Sequence, residues 1–163
     1  MLKDQKHPEA KLYSFDELVD ITSFSQLLDH FSKATGIPNG LIGHGGELIS
    51  HAGWCDACTL FHKANPATKL QCDESNLKLM NNLREGEITS HLCKNGLREY
   101  ATPIFVEGYQ IATLFLGQVF NDHPDIKYFS RQAEQYDFDK NEYLNAIRAV
   151  PVVDKNQVEA HIQ

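Results

Sequence analysis

Two extended runs near the middle of the chain constrain its fold more than anything else in the sequence. Glu99-Tyr100-Ala101-Thr102-Pro103-Ile104-Phe105-Val106 and Tyr109-Gln110-Ile111-Ala112-Thr113-Leu114-Phe115-Leu116-Gly117-Gln118-Val119-Phe120 meet across Glu107-Gly108. Both are rich in β-branched and aromatic residues, and an acidic–Gly pair is a tight-turn signal, so the natural reading is an antiparallel hairpin. The second run is apolar at nearly every position. That predicts a central strand covered on both faces.

The flanking segments alternate between periods. From Thr22 to Thr35, Phe24, Leu27, Leu28 and Phe31 define one apolar helical face, with Thr22 or Ser23 as the expected cap and Gly36 and Pro38 as the stop. Gly40 to Ser50 reads as strand, turn, strand around His44-Gly45-Gly46. From residue 55 to about 85, Leu70, Leu77, Leu79, Met80 and Leu83 sit at roughly helical spacing, with a break at Asn65-Pro66. Asp125 to Ala149 is helical again, interrupted near Tyr136-Asp137-Phe138-Asp139. After Pro151 an amphipathic helix begins with Val152, Val153, Val158 and Ile162. The expectation is an α+β domain, a PAS-like or GAF-like antiparallel sheet flanked by helices. Its expected divisions are a loose tail over 1–14, a sensor domain over 15–150, and from 151 to 163 the start of a linker helix to an output module.

A length of 163 residues fits one domain, and 42% apolar residues suffice for a core. The net charge of −7, from 15 Lys and Arg against 22 Asp and Glu, comes with no basic run, which argues against nucleic acid as a partner. Apolar stretches such as Pro103-Ile104-Phe105-Val106 are too short to span a bilayer, so no membrane partner is expected. Met1 to Pro8 is polar and lacks the apolar stretch of a secretory signal, so the expected compartment is the cytoplasm. No phosphate-binding loop, serine-elbow or zinc-protease motif occurs, and an enzyme is not expected. Gly96, Gly108 and Gly117 read as backbone requirements.

The cysteines are the main chemical signal. Cys55-Asp56-Ala57-Cys58 is a C-x-x-C, with Cys72 and Cys93 as distant singles. In a cytoplasmic chain these are thiols or ligands rather than disulfides. On a helix, Cys58 and His62 share a face, and Cys55 lies on the same stripe. Sulfur with one imidazole suits zinc; an all-thiolate set suits an iron–sulfur cluster. The alternatives are that these residues are small buried hydrophobes around a hydrogen-bonded histidine, or that they line a ligand pocket with no metal or cofactor. Cys58 and His62 on one face could also imitate a nucleophile and its base, a weak signal alone.

Other candidates concern a pocket. Trp54 could wall it, as could Tyr100 and Phe115, and His62 could line it. Gln118 is a polar amide inside an apolar run, so it must be hydrogen-bonded, either to backbone or to a ligand hydroxyl or carboxylate.

An ordered set of segments carries a resemblance over roughly residues 15 to 155. Gly53-Trp54, Cys58, Phe61-His62, Asn65-Pro66, Cys72 and Ser75 form its first half. Cys93-Lys94-Asn95-Gly96-Leu97, Ala101-Thr102-Pro103-Ile104, Val106-Glu107-Gly108 and Phe115-Leu116-Gly117-Gln118 form its second. Gln132-Ala133-Glu134, Tyr143-Leu144 and Val150-Pro151-Val152-Val153 complete it. The chain resembles the PocR sensory domain family. The resemblance implies a PAS-like ligand-binding fold that precedes output modules such as histidine kinases or AraC-type transcription factors. The ligand class it implies is small hydrocarbon derivatives such as short diols. Cys55 departs from the family pattern, so the resemblance favours Cys58, His62, Cys72 and Cys93 as a metal set, with Cys55 an alternative fourth ligand. A homodimer is expected by analogy with PAS-like sensors. The other class of function to weigh is a redox or gas sensor, with an iron–sulfur cluster or haem held by the cysteines.

Overall fold

The computed structural model describes residues 13–80 and 83–163, so nearly all of the expected 1–14 tail lies outside the described residues. A short helix α1 (Phe15–Leu18) leads into α2 (Ile21–Thr35). Asp20 caps α2, its carboxylate accepting from the amides of Thr22 at 2.9 Å and Ser23 at 3.4 Å. The cap is therefore not Thr22 or Ser23: Asp20 reaches two of the free amides of the first turn, and those residues supply them. Gly36, at φ +73°, ends the helix as expected.

Strands β1 (Asn39–Gly43) and β2 (Leu48–Ala52) form the first hairpin. A π-helical segment (Ala57–His62) and α3 (Pro66–Met80) follow, then β3 (Thr89–Leu92), β4 (Arg98–Val106) and β5 (Tyr109–Val119). The β4–β5 turn places Glu107 at φ +50° and Gly108 at +82°, the doubly left-handed turn whose twist suits a hairpin. Helices α4 (Ile126–Gln135), α5 (Lys140–Arg148) and α6 (Lys155–Ile162) complete the chain.

The sheet has five strands in the order β2-β1-β5-β4-β3, every pair antiparallel. The apolar run becomes the central strand β5, as its composition predicts, and the whole is the α+β, PAS-like arrangement of a sheet flanked by helices. Alternation along the strands separates the surroundings. Leu41 packs with Phe15 and Leu28, and Tyr100 and Leu116 pack with Val158 and Ile162 of α6. A separate cluster gathers Cys58, Cys93, Leu97, Phe129, Tyr143 and Ile147 among the π-helix, α4, α5 and the β3–β4 turn. The helix expected to begin with Val152 and Val153 starts only at Lys155, because Val152 pairs with Phe120 and Asp154 caps α6; Val158 of that helix is fully buried. No described helix is long and apolar enough to cross a membrane.

Candidate functional site

A cavity of about 220 Å³ lies among β1, β4, β5, the π-helix and α3. Its sheet wall depends on a bulge. The β4–β5 register slips between Arg98 and Glu99, where Gly117 takes φ +134° and Gln118 φ +46°. A Cβ on Gly117 would stand 2.6 Å from the Arg98 carbonyl oxygen, so only glycine fits. Gln118 tolerates its left-handed backbone because its side chain is tied down: Oε1 accepts from the Cys55 amide at 2.8 Å, and the Cys55 thiol donates to the Gln118 carbonyl at 3.6 Å. Gln118 thus meets the backbone expectation, and it also lines the cavity.

Trp54 and Phe115 also line it. Trp54 is pinned, its Nε1 donating to the Asn39 carbonyl at 3.0 Å, His51 stacked on the ring at 4.1 Å, and Lys63 Nζ 3.4 Å from the ring centroid. Tyr100 does not join them. It is fully buried with Leu116 and Val158, and its hydroxyl donates to Asn121 Oδ1 at 2.8 Å. Adjacent strand residues point to opposite faces, so Glu99 reaches the cavity and Tyr100 cannot.

Cys58, His62, Cys72 and Cys93 all line the same cavity, although far apart in sequence. Cys55 stands outside it, against the Gln118 backbone. His62 is fully buried. Its Nε2 is 2.7 Å from the Tyr143 hydroxyl, which donates to Gln132 Oε1, also at 2.7 Å. Gln132 Nε2 in turn donates toward the Asn95 side-chain oxygen at 3.4 Å. Because the tyrosine proton is committed to Gln132, His62 must donate through Nε2, leaving Nδ1 as an acceptor 3.9 Å from Cys58 Sγ. Burial pushes His62 down to about 4, so the ring is neutral.

Burial also raises every thiol: Cys55 to about 11, Cys93 to about 12, Cys58 well above its ordinary value, and Cys72 upward. Two of the sulfurs accept hydrogen bonds, Cys72 from Asn95 Nδ2 at 3.1 Å and Cys93 from the Leu97 amide at 3.3 Å. Among the described residues, no three His, Cys, Asp or Glu side chains are grouped so that they could hold a metal ion. The candidate ligands surround one space without forming a coordination shell as placed. The iron–sulfur or haem alternative draws no support from this arrangement.

Sequence reasoning missed Lys63 and Glu99, both of which line the cavity. The available signal for Glu99 was a charged residue at the head of an apolar strand. Asn95, Gln132 and Tyr143 stood among the resembling segments, but nothing in their spacing joined them to His62.

A PAS-like sheet with a small, partly open cavity against its central strand is an arrangement suited to holding a small ligand. Comparison with known families agrees: residues 17–163 match the family described as the sensory domain found in PocR, and the chain belongs to it. No curated protein matches it.

Proposed function

We propose that this domain binds a small organic molecule, a short diol or similar hydrocarbon derivative, and passes the event to an output module. The observation that carries the reading is the cavity itself: about 220 Å³, with Ile42, Trp54 and Phe115 as apolar wall and Asn39, His62, Lys63, Asn76, Glu99 and Gln118 as polar groups. In a ligand site apolar surface supplies affinity and the polar atoms fix orientation. The reading is one of binding without turnover. Cys58 stays a thiol and lacks the thiolate that a nucleophile needs.

A route outward exists at the end of β5. Two residues past Gln118, Phe120 pairs in parallel with Val152, its amide donating to the Pro151 carbonyl at 2.9 Å and its carbonyl accepting from Val153 at 2.8 Å. A ligand that favours one setting of the bulge would shift this bridge and α6 with it.

Trp54 is the only tryptophan, so its emission reports on the cavity wall. Titration with propylene glycol should change that emission saturably and raise the unfolding temperature. If a series of short diols alters neither, the diol assignment fails.

A further inference from the structure

Glu99 enters the cavity from β4, beside the Gly117 bulge. Its Oε2 is buried with no hydrogen-bond partner, and none of the ion pairs among the described residues includes it. Burial of that oxygen makes the charged form costly, and the charge of Lys63 offsets only part of the cost.

The groups facing it do not supply a partner. Cys58 of the π-helix, Cys72 of α3 and Cys93 at the β3–β4 turn are thiols held in their neutral form by burial. His91, in register with Glu99 across β3, has both ring nitrogens buried and unbonded. Lys63 is the one cation lining the cavity among the described residues, and its ammonium sits over the Trp54 ring instead of pairing with Glu99.

Wall and polar group together define a ligand. A short carbon chain can lie against Ile42 and Phe115. The carboxylate form of Glu99 must receive hydrogen bonds, and an ammonium brings a positive charge with its N–H donors where a hydroxyl brings one O–H and no charge. We infer that the cavity selects a short primary amine or amino alcohol, with its ammonium group seated on Glu99. This rests on the small-molecule reading above and narrows its ligand class. Burial holds the Glu99 carboxyl at about 7, so amine binding strengthens as pH rises through that value and the carboxylate forms.

The test compares ethanolamine with ethylene glycol, near-isosteres that differ in the ammonium group. Binding to the full chain is followed by Trp54 emission and by calorimetry. Ethanolamine should bind about tenfold tighter or better, the gain expected when a positive charge accompanies the donor that meets a carboxylate. Its affinity should climb as pH passes 7, while that of the glycol does not. Glu99→Gln should abolish the preference. Lys63→Gln, which removes a competing cation, should raise ethanolamine affinity, and thermal unfolding checks that each variant folds. Equal or tighter glycol binding, or an ethanolamine affinity unmoved by Glu99→Gln, overturns the amine assignment and leaves the small-molecule reading standing. Silence from both compounds and from propylene glycol overturns both.

Discussion

The Tyr143 hydroxyl accepts from His62 Nε2 at 2.7 Å while giving its own proton to Gln132, and this single pair fixes which nitrogen of His62 faces Cys58. The tautomer is set by residues on α4 and α5, far along the chain from the π-helix.

Removing the hydroxyl should therefore cost stability. Tyr143→Phe leaves the His62 N–H and the Gln132 oxygen buried and unpaired. The expected loss is about 2–3 kcal/mol, the desolvation cost of such groups, read from urea denaturation. A loss below about 0.5 kcal/mol would show that the hydrogen bonds do not form.

The pH profile should carry opposing contributions from His62 and Glu99. His62 titrates at about 4 in the folded protein against 6.5 unfolded, so its contribution is present above 6.5 and is lost as pH falls toward 4. Glu99 titrates at about 7 folded against 4.5 unfolded, so its contribution is present below 4.5 and is lost as pH rises through 7. Between 4.5 and 6.5 the two slopes oppose each other, so wild-type stability should rise less steeply there than that of Glu99→Gln. Glu99→Gln should rise across that window and exceed wild type at higher pH by up to about 3 kcal/mol. Denaturation midpoints across the range decide it, and parallel profiles for the two proteins would refute the assignment.

The cysteines should resist alkylation while the protein is folded. All four thiols are pushed up by burial, so little thiolate exists at neutral pH. Iodoacetamide labelling followed by intact-mass measurement should be slow in buffer and fast in denaturant. A rapidly labelled Cys58 in the folded protein would reopen the nucleophile reading.

Gly117→Ala should be among the most damaging single-methyl changes in the domain. The added carbon meets the Arg98 carbonyl at 2.6 Å on a backbone at φ +134°, and the expected cost is about 3 kcal/mol or more from clash plus strain. Gly46→Ala is the control, with a left-handed backbone but open space around it, and should cost about 1 kcal/mol.

Coupling from cavity to α6 should be visible in amide exchange. The Val153 amide donates to the Phe120 carbonyl two residues beyond Gln118. Saturating ligand should change its protection, while the Gly36 amide, bonded to Ser32 at the end of α2, should not respond. Unchanged exchange at Val153 in the liganded protein would remove this route.

How much of this could be read from the sequence follows from which signals are local. The β4–β5 hairpin and the central position of β5 were legible, because composition and a turn pair report burial directly. The pocket was half legible. Trp54, Phe115, Gln118 and the Cys–His set meet at one cavity. Tyr100 was misplaced because an apolar run conceals which alternate residues face which side. Glu99 escaped because a single acid at a strand's start reads as solvent-facing. The Asn95–Gln132–Tyr143–His62 chain joins four separate elements, and only tertiary packing makes it.

The bulge also settles how β5 counts. Leu116 and Val119 stand three residues apart yet enter the same cluster, while Phe120 enters the other. In a regular strand, residues an odd number apart face opposite ways. The extra residue therefore inverts the parity of everything after it, which is what directs Phe120 toward Phe129 and keeps Val119 beside Tyr100. Deleting Gln118 would leave Val119 and Phe120 on their present sides by plain alternation, and would take away only the side chain that holds the Cys55 amide.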